Sequence, residues 1–215
     1  TADKMDLAGS IAASGQTVTL QPHKAGEAIN LGSATDVAAN TLELSDAELD
    51  RITAGQLLVG TLSQGPVAIS APISPANAGL LLIYGTSVND GESGSIVVEE
   101  LAVYSGGAVT LDNVANDVSK VAIKTLTGNV SLTDANGFTV DRVGTVEGID
   151  ADNGVVTLRA ITGNITIADS AAANDVEASG WIQITLQGND ATFNVASSAA
   201  VRSTGDNVNI QADEM

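Results

Sequence analysis

With 215 residues the chain can hold one or two ordinary domains or one continuous solenoid, and its 44% hydrophobic content supplies a core that, at 2% aromatics, must be aliphatic. Eight basic residues against 26 acidic ones give a formal charge of −18, which leaves no basic face for a nucleic acid and disfavours an anionic membrane surface. The chain has no cysteine, so disulfide frameworks and thiolate metal sites are excluded.

The longest apolar run, Leu80 to Tyr84, is strand-sized, so no membrane insertion is expected. The sequence opens at Thr1 with no signal-peptide pattern and reads as a mature chain or an excised piece of a longer one. Twenty-two glycines and only four prolines supply turns without blocking a backbone ladder.

Near the N-terminus, Thr17–Leu20 reads as a strand after Gly15, stopped by Pro22, and a second short strand around Ala28–Leu31 ends at Gly32. The sole histidine, His23, stands beside Pro22 and Lys24 and reads as a surface turn residue rather than a catalytic base. Residues 44–55 break the β pattern. Ser45 and Glu48 have capping-box spacing, Leu44 and Leu49 are placed for a hydrophobic staple, and Asp46 and Glu48 suit a helix N-terminus. The pattern predicts a short helix near 46–53, closed by Gly55, with Leu49 and Ile52 turned inward and a structural role, either covering part of the solenoid or decorating one coil.

From residue 56 onward the chain is short strands and turns. Leu57–Val59, Val67–Ile69, Leu80–Tyr84, Ile96–Val98, Leu101–Tyr104, Val109–Leu111 and Val121–Ile123 come first. Val130–Leu132, Phe138–Val140, Val156–Leu158, Ile165–Ile167, Ile182–Ile184, Phe193–Val195 and Val208–Ile210 follow. Each alternates with period 2, so one face is buried and one is wet. Over 128–210 the pattern has a constant interval: Val130, Val156, Ile182 and Val208 are 26 residues apart, each shortly after a glycine (Gly128, Gly154, Gly180, Gly205). A fixed period of this length marks stacked repeats. The fold expected is all-β: a parallel β-helix over 1–215 with one short helix. At about 22–26 residues per coil the chain would make roughly eight to ten coils, a rod of roughly 40–48 Å. An antiparallel sandwich matches the strand spacing but not the constant interval. Open ends would need caps or charge to avoid self-association between copies.

The segment Thr41-Leu42-Glu43-Leu44-Ser45-Asp46-Ala47-Glu48-Leu49-Asp50-Arg51-Ile52-Thr53-Ala54-Gly55 resembles a recurrent module of the filamentous-haemagglutinin-like, β-helical giant adhesins of bacteria. The glycine-terminated and apolar-Thr-Leu strands from Gly15 to Ile210 are similar to that group in style. The resemblance implies a right-handed parallel β-helix in a secreted or cell-surface protein, concerned with adhesion, cell contact or an adhesin stalk. It carries no common catalytic motif.

Three acidic turns are candidate cation sites: Asn89–Glu92, Asp134–Gly137 and Asp150–Gly154. Ca²⁺ wants six to eight hard oxygens; the last turn offers a D-x-D-x-G fragment, which makes Asp150 and Asp152 the best metal candidates. It lacks the downstream glutamate of an EF-hand, and Asx-Gly is independently what tight turns need. No other cofactor is expected.

For a polysaccharide-active β-helix, the enzymatic alternative, two placed carboxylates or cations beside clustered acids are required. Lys120, Lys124, Arg142, Arg159 and Arg202 are scattered, and Tyr84, Tyr104 and Trp181 are the few platforms for a sugar ring; Trp181, directly before a strand, could stand exposed but reads first as buried or capping. No nucleophile elbow or phosphate loop occurs. The sequons at Asn129 and Asn164 read as by-products of strand openings. The expectation is a non-enzymatic scaffold or adhesive surface with a cell-surface or glycan ligand, with a Ca²⁺-stabilised binding module as the other non-catalytic possibility.

Overall fold

The computed structural model describes residues 3–212. Within them the chain is nearly all β, in one 12-stranded and one nine-stranded sheet. Each strand pairing is parallel except for one two-residue hairpin.

The nine-stranded sheet shows what the sequence interval means. Val130 pairs with Val156, Val156 with Ile182, and Ile182 with Val208, so the 26-residue recurrence is the hydrogen-bonding register itself. A branched aliphatic stacked on its equivalent one layer away fills the core without large rings. In the preceding layers the same row advances by 21 residues, through Val67, Val88, Val109 and Val130. This step lies just below the range of about 22–26 residues per coil expected from the sequence. A second buried row runs through Leu31, Ile69, Leu111, Leu132, Leu158 and Ile184. The side chains between these rows face outward: Asn89, Thr110, Ser131, Thr157, Gln183 and Asn209.

At the N-terminal end the core is covered. Strands β1 (Ile11–Leu20), β2 (Ala28–Leu31) and β3 (Thr41–Leu44) precede helix α1 (Asp46–Leu49) and strand β4 (Ile52–Gly60). β4 stacks on β1, whereas β3 turns back to the far edge of the second sheet beyond β2. That detour brings Leu42, Leu44, Leu49 and Ile52 together at the end of the core, all with 0% exposure. The Glu48 carboxylate accepts bonds from the Ser45 N–H (2.8 Å) and hydroxyl (2.7 Å), and from the Leu7 N–H (3.1 Å). The helix is one turn rather than the 46–53 expected, because Ile52 and Thr53 pair with Ile11 and Ala12 as strand. Gly55 does not end the helix; it lies within β4, where an added Cβ would stand 2.8 Å from the Gly15 carbonyl carbon.

The glycines that open the 26-residue repeat also have a reason other than the one turn chemistry suggests. Gly128 alone among Gly128, Gly154, Gly180 and Gly205 has a left-handed backbone, with φ 104. A Cβ on Gly154 would run into the Gly128 carbonyl one layer away, and one on Gly205 into that of Ser179. Close packing of turns between layers demands glycine there. The sequon asparagines serve the same stacking. Asn129 Oδ1 accepts the Val155 N–H (3.1 Å), and Asn164 Oδ1 accepts the Thr192 N–H (2.6 Å).

The 12-stranded sheet changes character along the molecule. Ser95–Ser105 and Asp117–Thr125 are long single strands paired along most of their lengths. In the next layer the partner splits: Lys120 and Val121 pair with Thr139 and Val140, but Ile123 to Thr125 pair with Ile149 to Ala151. The chain between, 141–148, leaves the sheet as a hairpin of Arg142–Val143 and Val146–Glu147. Its valines, 0% and 4% exposed, pack on the outer side of the sheet in a small second core with Leu80, Leu82, Ala102 and Ala122. Gly144, φ 59, comes so close that a Cβ would lie 3.1 Å from Leu80 Cδ2. The nearly unbroken apolar run Leu80–Tyr84 follows directly, since that strand is covered on both faces.

Candidate functional site

Two of the three acidic turns are internal supports. Asp90, 1% exposed, stands in the second buried row between Ile69 and Leu111, and accepts bonds from the Asp112 and Asn113 N–H groups (3.2 and 3.0 Å) and from Asn116 Nδ2 (2.7 Å). Asn116 Oδ1 in turn accepts the Ile96 N–H at 2.8 Å. Asp134, fully buried, accepts the N–H groups of Val118, Asn136 and Gly137 at 2.8, 2.9 and 2.7 Å. These carboxylates satisfy backbone donors that the corners between sheets leave free. Burial pushes both above the ordinary 3.8, and the donated bonds offset only part of that rise. Glu43, in the N-terminal cap, moves the other way: the Ser33 hydroxyl and the Ala38 N–H hold it below 4.5.

The third turn lies at the surface. Asp150, on strand Ile149–Ala151, forms an ion pair with Lys124, its partner in register one layer away. The bond holds the Lys124 ammonium above its usual value. Asp152 is exposed and accepts from Asn153 Nδ2 at 3.2 Å, while Asn153 takes the left-handed turn position with φ 57. Among the described residues no group of three or more His, Asp or Glu side chains is set to hold a metal ion. His23 is an exposed turn residue whose N–H donates to Asp3.

Asp150 belongs to a larger arrangement. Register places Tyr84, Tyr104, Lys124, Asp150, Glu177 and Arg202 in one outward column across six strands, about 4.8 Å apart. The two tyrosines meet edge to face with centroids 5.5 Å apart, a favoured aromatic geometry. Lys124 pairs with Asp150, and Arg202 with Glu177 at 3.3 Å. The cations that look scattered in the sequence therefore include two that share a column.

Beside this column lies a groove of about 300 Å³. Its floor is Tyr104, Lys124, Asp150 and Glu177, its walls the hairpin (Thr145 to Glu147) and the segment Ala172 to Asn174. Arg142 reaches Glu147 at 3.7 Å, and Asn174 Nδ2 donates to Glu177 Oε2 at 3.0 Å. Another depression, on the other sheet, is lined by Trp181, Gln183, Asp206, Asn207 and Asn209. Trp181 is 38% exposed there rather than buried.

Of these groups, sequence reasoning found Asp150 as part of a turn and missed Tyr104, Lys124, Glu177 and the hairpin as its companions. The signal was present but composite. Tyr84, Tyr104 and Lys124 recur every 20 residues, whereas Asp150, Glu177 and Arg202 follow at steps of 26, 27 and 25, so no single period aligns them. No family model matches this chain, and neither a curated protein nor a solved structure shows significant similarity to it.

Proposed function

We propose that the chain is a right-handed parallel β-helix that serves as a non-enzymatic structural and adhesive segment of a large bacterial cell-surface or secreted protein. The observation that carries this reading is the column register: equivalent side chains repeat across successive layers on both sheets, so the molecule presents long, regular outer faces on a self-supporting core. The Thr41–Gly55 segment, through which the sequence resembles the haemagglutinin-like adhesins, contributes Leu42, Leu44, Leu49 and Ile52 to the N-terminal end of the core. Carboxylates on the grooved face are engaged by Lys124, Arg142 and Arg202, which favours a surface that binds over one that uses free acids for catalysis. No described helix is long and apolar enough to cross a membrane.

Beads coated with the chain and offered to bacterial and epithelial cell layers should be retained above beads coated with an unrelated acidic protein. Equal retention of the two would count against an adhesive role. Small-angle scattering should give a rod roughly 40 Å long, the extent of nine strands at about 4.8 Å spacing. Release of reducing ends from polysaccharides would move the reading to the enzymatic alternative.

A further inference from the structure

We infer that the groove between the 142–147 hairpin and the 172–174 segment is a binding site for an uncharged oligosaccharide. The inference deepens the adhesive reading by naming the ligand class of this face. Three features meet there. The groove, at about 300 Å³, lies at the lower end of the size range of small-ligand pockets. Tyr104 lines it and is braced from behind by Tyr84, which supplies a fixed aromatic surface for the C–H face of a sugar ring. Around the ring stand Lys124, Glu147, Asp150, Asn174 and Glu177, a mixed set of donors and acceptors suited to vicinal hydroxyls.

Electrostatics narrows the class. The carboxylates of the lining are each paired with a cation, but the chain as a whole carries −18, and that field repels a polyanion such as a uronate chain. A cation would have to displace Lys124 from Asp150 or Arg202 from Glu177. A neutral sugar does neither; it adds bonds to carboxylate lone pairs that the ion pairs leave open, since each carboxylate offers about four acceptor positions. The column geometry also gives direction. A ligand lying across the strands meets Tyr104, Lys124, Asp150 and Glu177 in turn, whereas one lying along a strand meets the hairpin wall.

The test is a titration of the isotope-labelled chain with three probes, followed by amide chemical shifts: cellotriose, triacetylchitotriose and trigalacturonate. At least one neutral trisaccharide should bind with a millimolar dissociation constant and shift the amides of Tyr104, Lys124, Asp150 and Asn174, while trigalacturonate should leave them in place. Tyr104→Ala should weaken binding at least tenfold. Because that substitution also removes a contact of the hairpin, Asn174→Ala is the second variant, expected to weaken binding several-fold with an unchanged melting temperature. Silence with both neutral probes, shifts confined to another surface, or preference for trigalacturonate would each overturn the inference. Binding without bead adhesion would sink the adhesive reading and leave the site standing; adhesion that survives Tyr104→Ala, with no sugar bound, would do the reverse.

Discussion

The layers from Val67 to Val130 and those from Val130 to Val208 are built on the same two sheets, yet one set advances by 21 residues and the other by 26. The difference is local. Val121 and Ile123 are neighbours-but-one on a single strand, and their partners Val140 and Ile149 are nine residues apart. Ile167 and Val176 repeat that separation one layer further on. Short layers therefore present a plain sheet, and long layers interrupt it with an outward excursion. The first excursion folds back as a hairpin over the plain layers, and the second walls the groove beside it. An extra handful of residues per turn converts a uniform scaffold into one with a site.

The strongest test of this contrast is Asp134→Ala, at the corner that leads into the first long layer. It strips three backbone N–H groups of their acceptor and should cost roughly 3 kcal/mol, one or more for each donor left bare in a buried place. Urea unfolding measures it, and a loss below about 1 kcal/mol would mean that water takes over the corner. The same residue has a pH signature. Its folded pKa is raised, so its contribution is full below about 3.8 and declines as pH rises through the folded value. Glu43, whose folded pKa is lowered, contributes above about 4.5 and loses that contribution as pH falls through its folded value. Asp134→Asn should therefore cost most in acid and Glu43→Gln most at neutral pH; parallel trends for the two variants would contradict the opposed environments.

Next in size is a glycine pair. Gly154→Ala, in a long layer, forces a methyl group against the Gly128 carbonyl and should cost about 1–3 kcal/mol. Gly106→Ala, in a short layer, finds its nearest atom at an ordinary 3.5 Å and should stay within about 0.5 kcal/mol. Equal melting temperatures for the two variants would show that the turns can spread. Smaller again is Val143→Ala, which removes part of the lid over Leu80 and Leu82 and should cost roughly 1.5 kcal/mol from lost burial of two methyl groups. Hydrogen exchange should rise over 141–148 while the ladder of 109–132 keeps its protection; a global rise would tie the hairpin to the main core. The smallest effect expected is that of a chelator. With Asp150 engaged by Lys124, excess EDTA should leave the melting temperature where millimolar Ca²⁺ leaves it, and a large drop would revive Asp150 and Asp152 as metal ligands.

Which of these features the chain announces in advance depends on how locally each is specified. Val130, Val156, Ile182 and Val208 could be read off because each layer repeats the same pairing and the same buried row. The covering role of 44–49 was legible from Ser45, Glu48 and the flanking leucines, although the length of the helix was not: the demand of Ile52 to pair with Ile11 overrides propensity. Asp90 and Asp134 read as tight-turn residues or cation ligands, because the sequence cannot say which turns lie at a corner between sheets. Trp181, directly before a strand, read as buried or capping rather than exposed, yet it stands on an outer face.

By itself, then, the sequence determined the class of structure: an aliphatic, all-β chain of short strands stacked in repeats, because alternation and register are written within one repeat. Only the tertiary structure decided which outward side chains share a column and that residues 141–148 fold back on earlier layers. Those contacts join Tyr84 to Thr145 (3.3 Å) and Lys124 to Asp150 across unequal spacings. The physical reason is that pairing fixes the row a side chain occupies, while the number of residues between rows is free to vary wherever the chain can leave the sheet.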